Sequence, residues 1–331
     1  MKKVLLSMLV IIISITMIMS LSLIGCKPKV TEETTTAKEY TINVVVHGGI
    51  TDLYWMKAEK GAKDAGKLYP EVEVKYSGPE VYDFPKFYTY LETAIADKPD
   101  GLICTMTNPE AMDELLRNAI ANGLTIIAID SPDSRPANER IPYLAYFGET
   151  PYQGGVLAAR EILKRYTPKS AIYGNNAPGA TNMEERGKGF ADTLAEVGIP
   201  FEALDVTADS IQGAEILVNY VKAHPDVDTA FIGNNQWAEG FVVRLEEIGK
   251  KPGEDIKIVT FAASPTTIDM LEQKKILFAL DEQPYLQGYD AVTSMYLYLK
   301  YGFMPPELVP TLGLFPEDIS KLRELVAQNI R

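Results

Sequence analysis

Gly101-Leu-Ile-Cys-Thr105, Pro109-Glu-Ala-Met-Asp-Glu-Leu-Leu-Arg-Asn-Ala-Ile-Ala-Asn122-Gly123 and Thr125-Ile-Ile-Ala-Ile129 form the stretch that decides the fold. The first and last pieces are apolar without alternation. A strand of that kind is buried on both faces, as in a parallel sheet covered by helices. Between them Met112, Leu115, Leu116, Ala119 and Ile120 recur at i, i+3, i+4, i+7 and i+8. That spacing predicts one apolar face of a helix, and Gly123 suits the position just past its end. Strand, helix, strand with a crossover of this length makes the two strands parallel neighbours.

The same rhythm extends in both directions. Candidate strands are Tyr40–Val46, Glu71–Tyr76, Tyr143–Phe147, Ser170–Tyr173, Phe201–Asp205, Thr229–Gly233, Lys257–Phe261, Leu277–Leu280 and Leu308–Leu312. Helical segments separate most of them. In Tyr54–Gly66 the small residues Ala58, Gly61, Ala62 and Ala65 share one face and let that helix lie close on a sheet. The prediction is an α/β fold. This many units exceeds one comfortable sheet, so two similar, doubly wound parallel-sheet lobes of roughly five strands each are expected. Phe147-Gly-Glu-Thr-Pro-Tyr-Gln-Gly-Gly155 suits a first crossing between lobes, and Pro316–Asn329 a closing helix.

The N-terminus carries an address. Lys2 and Lys3 precede an apolar run from Val4 to Ile24, which ends in Leu21-Ser-Leu-Ile-Gly-Cys26. A basic start, a hydrophobic middle and small residues at the exit are the parts of a secretory signal, here residues 1–25. The ending resembles a bacterial lipobox, which implies a lipid on Cys26 as the first mature residue. The same run is also long enough for an uncleaved anchor at about 1.5 Å per residue. Either way the remaining chain is expected at the outer face of the cell membrane or in the periplasm. Residues 26–39 are polar and without an apolar face, so they read as a flexible tether with a reach of about 20 Å.

Net charge is −13, which disfavours nucleic acid and anionic lipid surfaces as partners. Of the two cysteines, Cys26 would be spent on the lipid that the lipobox resemblance implies, and Cys104 sits in an apolar strand as a small hydrophobe. Two histidines and one thiol leave little for a zinc or redox centre, so no metal and no cofactor are expected. No Gly-x-Ser-x-Gly, His-Glu-x-x-His or Cys-x-x-Cys occurs. Gly174-Asn-Asn-Ala-Pro-Gly-Ala-Thr181 lacks the lysine of a phosphate loop and reads as an ordinary loop. An enzyme is not expected.

Open α/β sheets bind ligands beyond the carboxyl ends of their strands. The side chains there are Asp52, Tyr54 and Trp55 after the first strand, Thr105 after the third and Asp130 after the fourth. Arg186 follows on a helix that begins near Asn182; Asn234 to Trp237, and then Asp281, Glu282 and Gln283, end later strands. His47, followed by Gly48-Gly49, ends the first strand and suits either a crevice or a structural role. Rings, carboxylates, amides and one guanidinium match a polyhydroxylated ligand: rings stack on C–H faces and the polar groups take hydroxyls. Each residue has a second reading. Asp52 also suits a helix cap. Tyr54 and Trp55 suit a core staple, Arg186 a surface pair with Glu185, and Asn234 a turn.

These segments resemble the type I periplasmic sugar-binding proteins, the ribose-binding-like receptors of ABC transporters. Glu185-Arg-Gly-Lys-Gly-Phe190, Ala223-His-Pro-Asp-Val227, Phe231-Ile-Gly-Asn-Asn-Gln-Trp-Ala-Glu-Gly240 and Glu282-Gln-Pro-Tyr-Leu-Gln-Gly-Tyr289 carry the resemblance, which runs from about Tyr40 to Leu312. It implies two lobes joined by a three-strand hinge and closing on a sugar. The first would be 40–148 plus 283–307, the second 149–282 plus 308–331. It further implies ligand contacts from Asp52, Tyr54, Trp55, Thr105, Asp130, Arg186, Asn234 and Glu282, delivery to an ABC permease, and a monomer. Three positions depart from the pattern: Ala262 stands where an Asp is usual, Glu282 where a Gln is usual, and Ala208 where an aromatic is common. The function expected is a lipid-anchored receptor for a sugar or related polyol. The alternatives are a sensor feeding a membrane kinase or chemoreceptor, or a binder of a nucleoside or furanose-like signal molecule.

Overall fold

The computed structural model describes residues 39–49, 51–303, 312–314 and 319–329. The signal, the lipobox with Cys26 and the tether lie outside the described residues. Lys38 to Arg331 fall in one compact unit.

Eleven strands form two sheets among the described residues. The first contains β1 (Tyr40–Val45), β2 (Val72–Ser77), β3 (Gly101–Cys104), β4 (Thr125–Ile129) and β5 (Tyr146–Phe147), in the order β2-β1-β3-β4-β5 and all parallel. The second contains β6 (Ala171–Asn175), β7 (Phe201–Asp205), β8 (Thr229–Ile232), β9 (Lys257–Phe261), β10 (Phe278–Asp281) and β11 (Leu312–Leu314), in the order β11-β10-β9-β8-β6-β7. Without β11 the second order repeats the first, since each sheet starts at an inner strand, steps to one edge and returns across it. This is the doubly wound pattern whose crevice opens where the winding reverses.

Two details differ from the sequence expectation. Strand β11 pairs antiparallel to β10, so the second sheet is not purely parallel. The last strand was expected at Leu308–Leu312; residues 308–311 lie outside the described ones, and the strand runs Leu312–Leu314.

Ten helices are described: α1 (Leu53–Leu68), α2 (Phe84–Ala96), α3 (Pro109–Ala121), α4 (Pro151–Leu163), α5 (Thr181–Ala195), α6 (Ser210–Ala223), α7 (Asn235–Glu247), α8 (Pro265–Glu272), α9 (Pro284–Tyr301) and α10 (Ile319–Ala327). Their starts are encoded locally. Asp52, Asp83, Asn108, Asp209, Asn234 and Ser264 cap α1, α2, α3, α6, α7 and α8 by accepting from a backbone N–H in the first turn.

Strand alternation sorts each core into two layers. Val44, Ile103 and Ile127 face the layer shared with α1 and α9, whereas Val45, Leu102, Cys104 and Ala128 face α2 and α3. In the second sheet Ile172, Ala230 and Ile258 face α6, α7 and α8, and Tyr173, Phe231 and Val259 face α4 and α5. Helices α1 and α9 touch backbone to backbone: a Cβ on Gly61 would lie 1.9 Å from the Tyr285 carbonyl oxygen, and one on Gly288 2.2 Å from that of Ala58. Through this contact α9, far along the chain, covers the first sheet. Strand β11 returns to the second, where α10 packs beside α8.

Candidate functional site

The carboxyl ends of the two sheets face one another across a cavity of about 280 Å³. That is near the lower end of the ~300–1,000 Å³ usual for small-molecule pockets, a volume suited to one compact ligand. Its walls come from the segments that follow β1, β2 and β4 on one side, and β6, β7, β8, β9 and β10 on the other.

From the first sheet, β1 delivers His47. Its Nδ1 lies 2.9 Å from Thr105 Oγ1 at the end of β3, the reversal point of the sheet. Burial pushes the His47 pKa down to about 3, so the ring is neutral. Trp55 packs edge-on against His47 and Tyr54, with ring centroids 5.1 Å and 4.9 Å away. Gly48 leaves room for that indole, since a Cβ there would sit 1.7 Å from Trp55 Nε1. Tyr54 donates its hydroxyl to Asp130 Oδ1 at 2.6 Å. Asp130 has a left-handed backbone, φ 61°, uncommon outside glycine though least so for Asp and Asn. Burial raises its pKa to about 6, against the lowering effects of the Tyr54 hydrogen bond and of Arg186.

From the second sheet, α5 brings Asn182 and Arg186, one turn apart and so on one face. Arg186 is 3% exposed. Its Nε donates to Glu149 Oε1 at 3.0 Å, its Nη2 to both Glu149 and Glu282, and its plane lies 3.7 Å over the Phe261 ring. Burial alone would lower the Arg186 pKa; Glu149 and further anionic neighbours outweigh it and raise it. The surface pairing with Glu185 does not form.

Hydrogen bonds cross the cleft. Asn234 Nδ2 donates to Asp52 Oδ2 at 3.1 Å, and Asn182 Nδ2 to Asp130 Oδ2 at 3.3 Å. Thr181 donates its N–H and its hydroxyl to the Thr107 carbonyl at 3.1 and 3.2 Å. Lys57 Nζ reaches the Ala263 carbonyl at 2.5 Å. The two carboxyl edges are therefore drawn together.

Seven of the eight expected residues line this one cavity: Asp52, Tyr54, Trp55, Asp130, Arg186, Asn234 and Glu282. The capping reading of Asp52 holds, Asn234 caps a helix as well, and the two side chains also meet across the cleft. Thr105 is the exception. It is fully buried behind His47, and its short side chain is spent on the imidazole. His47 stands in the wall in its place. Trp237 lines the cavity too, with its Nε1 bonded to the Thr207 carbonyl at 3.1 Å. Sequence reasoning missed Glu149, Asn182 and Phe261 as site residues. Glu149 was findable, since it lies just beyond β5, and Asn182 was findable from its i, i+4 relation to Arg186. Nothing in the sequence says that Phe261, the last residue of β9, places its ring beneath a guanidinium. Among the described residues no cluster of His, Cys, Asp and Glu is arranged to hold a metal. None of the described helices is long and apolar enough to cross a membrane.

Residues 42–302 match the family model described as periplasmic binding protein domain. A xylose/arabinose-binding protein of Sulfolobus acidocaldarius is 26% identical over 266 residues, 77% of this chain and 65% of that protein's length. A ribose import binding protein of Bacillus subtilis is 24% identical over 261 residues, 76% of this chain and 79% of the relative. Among solved structures, a carbohydrate transporter from Acidothermus cellulolyticus in complex with myo-inositol has a TM-score of 0.79 at 23% identity, covering 88% of this chain and all, 100%, of that one.

Proposed function

The chain belongs to the periplasmic binding protein domain family, and on that premise we propose that it is an extracytoplasmic receptor for a sugar or related polyol. It captures the ligand between its lobes and hands it to an ABC importer. The family is one of solute binders, so the work is reversible capture without bond-making. The observation that carries the reading is the partly open, monosaccharide-sized cavity between the carboxyl edges of two like-wound sheets. Carboxylates Asp52 and Asp130, amides Asn182 and Asn234, and the Trp55 ring all converge on it. Carboxylates and amides accept and donate to hydroxyls, and an indole covers apolar C–H faces. Relatives named for xylose, arabinose and ribose, and a structural neighbour holding myo-inositol, support that ligand class.

The lobes we assign are 40–148 with 283–307, and 149–282 with 308–331. Residues 1–25 are the signal, Cys26 carries the lipid, and 26–39 tether the receptor to the outer face of the membrane. The test is a thermal-shift screen of the domain from Glu39 with pentoses, hexoses, polyols and nucleosides. A true ligand at a hundredfold excess over its Kd adds about 2.7 kcal/mol. No stabilisation by any sugar or polyol at millimolar concentration would refute the reading.

A further inference from the structure

Arg186 is the one Lys or Arg among the described residues lining the cavity, and it is already committed. Its Nε and Nη2 serve Glu149 and Glu282, its Nη1 points to the Met183 sulfur at 3.3 Å, and Phe261 covers one face. Three charges sit in this cluster, one positive and two negative, so it is anionic rather than cationic. The remaining polar wall adds to that sign. Asp52 and Asp130 are partnered by neutral donors, Tyr54, Asn182, Asn234 and a backbone N–H. Asn182 gives its amide nitrogen to Asp130, which leaves its Oδ1 buried with no hydrogen-bond partner. A carboxamide oxygen in that state wants a donor. The Lys57 ammonium is turned to the Ala263 carbonyl outside the cavity wall. His47 supplies no charge, because burial holds its pKa at about 3.

We infer that Glu149 and Glu282, by consuming Arg186, make the cleft an acceptor-rich anionic site that selects uncharged hydroxyl donors and rejects the carboxylate and phosphate forms of the same sugars. The inference rests on the sugar-receptor reading and adds the charge of the ligand and the residues that set it. An anion entering the cleft meets the Asp52, Asp130 and Glu282 carboxylates, the last two buried, with no guanidinium fork open to it. Like charges in such a site repel far more than in water, and leaving the anion without donors adds its desolvation.

The experiment measures binding to the soluble domain by calorimetry at physiological salt. Matched probes are D-glucose, D-glucuronate and D-glucose 6-phosphate, D-ribose and D-ribose 5-phosphate, and myo-inositol and its monophosphate. The expected result is that each neutral member that binds does so at least ~100-fold more tightly than its anionic partner. Size alone gives the same ranking for phosphates, so the deciding arm is Glu282→Gln, with Glu149→Gln as an independent second. Each keeps the side chain's shape, removes one negative charge and frees part of Arg186. In either variant, with folding verified by circular dichroism, the glucose-to-glucuronate ratio should narrow by about tenfold. A wild-type protein that binds an acid or phosphate as tightly as its neutral parent overturns the inference and leaves the sugar-receptor reading standing. So does a ratio unmoved in both variants. If no neutral probe binds, the receptor reading falls as well.

Discussion

Replacing Arg186 with Met tests the centre of the site through its stability. The residue is 3% exposed, and its two carboxylate partners, Glu149 and Glu282, are 3% and 4% exposed. Methionine fills most of the aliphatic volume, so cavity formation contributes little. What is lost is the charge that compensates two buried anions. Removing one partner from a buried ion pair costs about 3–5 kcal/mol, and the stacking over Phe261 adds up to about 2 kcal/mol. The stranded carboxylates relieve the cost by taking up protons, so their folded-state pKa values rise above the unfolded value near ~4.3. A carboxylate with a raised folded pKa carries a penalty that is full above that pKa and fades as pH falls toward the unfolded value. The loss should therefore be about 4 kcal/mol at pH 7 and at least ~2 kcal/mol smaller at pH 4.5. Urea unfolding of the ligand-free domain, followed by far-ultraviolet circular dichroism at both pH values, measures it. The double variant Arg186→Met with Glu282→Gln should recover about 1–2 kcal/mol at pH 7, because one stranded charge is gone. A single variant within ~1 kcal/mol of wild type at pH 7, or one equally destabilised at both pH values, would refute the reasoning.

Other outcomes follow from the same geometry. Trp55→Ala should weaken ligand binding by about 1–3 kcal/mol, the range known for stacking on an aromatic. It should also destabilise the fold by about 3 kcal/mol, since the ring packs on His47 and Tyr54; calorimetry and thermal melts separate the two effects. The contributions of His47 and Asp130 to acid stability should nearly cancel between pH 4 and 6. There His47, with its lowered folded pKa, loses stability as pH falls, while Asp130, with its raised one, regains it. Asp130→Asn should expose the His47 slope of up to about 1.4 kcal/mol per pH unit, read from urea midpoints across that range. Ligand should reduce the radius of gyration in small-angle scattering, because a ligand held by both lobes favours the closed state by its differential affinity. Cys26→Ser should abolish lipid labelling and release the protein from membranes with ligand affinity unchanged; continued labelling would remove the lipobox reading.

The fold was legible because its signals are local and repeated. Gly101–Cys104 and Thr125–Ile129 are continuous apolar strands around an amphipathic helix, and both are buried as that pattern requires. The lobe pairing was less so. Helix α9 lies close on α1 where Gly61 meets the Tyr285 carbonyl and Gly288 that of Ala58, contacts between residues far apart in sequence that no periodicity announces. The antiparallel β11 is likewise a long-range choice. Within the site, residues at strand ends were visible from the rule that ligands bind there, which is why seven of eight converge. Thr105 obeyed the same rule and still failed. Reach is decided by side-chain length and neighbours, and the longer His47 covers it at 2.9 Å.

Backbone conformation accounts for the rest. Asp130, Thr207, Ala262 and Gln283 all have positive φ, 61°, 60°, 63° and 57°. Each such residue costs roughly 1–2 kcal/mol when it is not glycine, and Asp130 and Ala262 line the cavity. At Ala262 this geometry matters most. The family resembled usually has an Asp there; in this chain the turned backbone sends the Ala262 methyl into the core layer of the first lobe. It also presents the Ala263 carbonyl to the buried Lys57 ammonium at 2.5 Å. That segment makes contacts between lobes, while Ala262 also lines the cavity. The carboxylate that the resemblance placed after β9 is supplied after β10 by Glu282, where it meets Arg186 instead of open space. Moving a negative charge from the ligand face to the guanidinium changes what the guanidinium can offer. For that reason the fold and the place of the site follow from strand ends and periodicity, while the ligand's identity turns on how a few buried charges are paired.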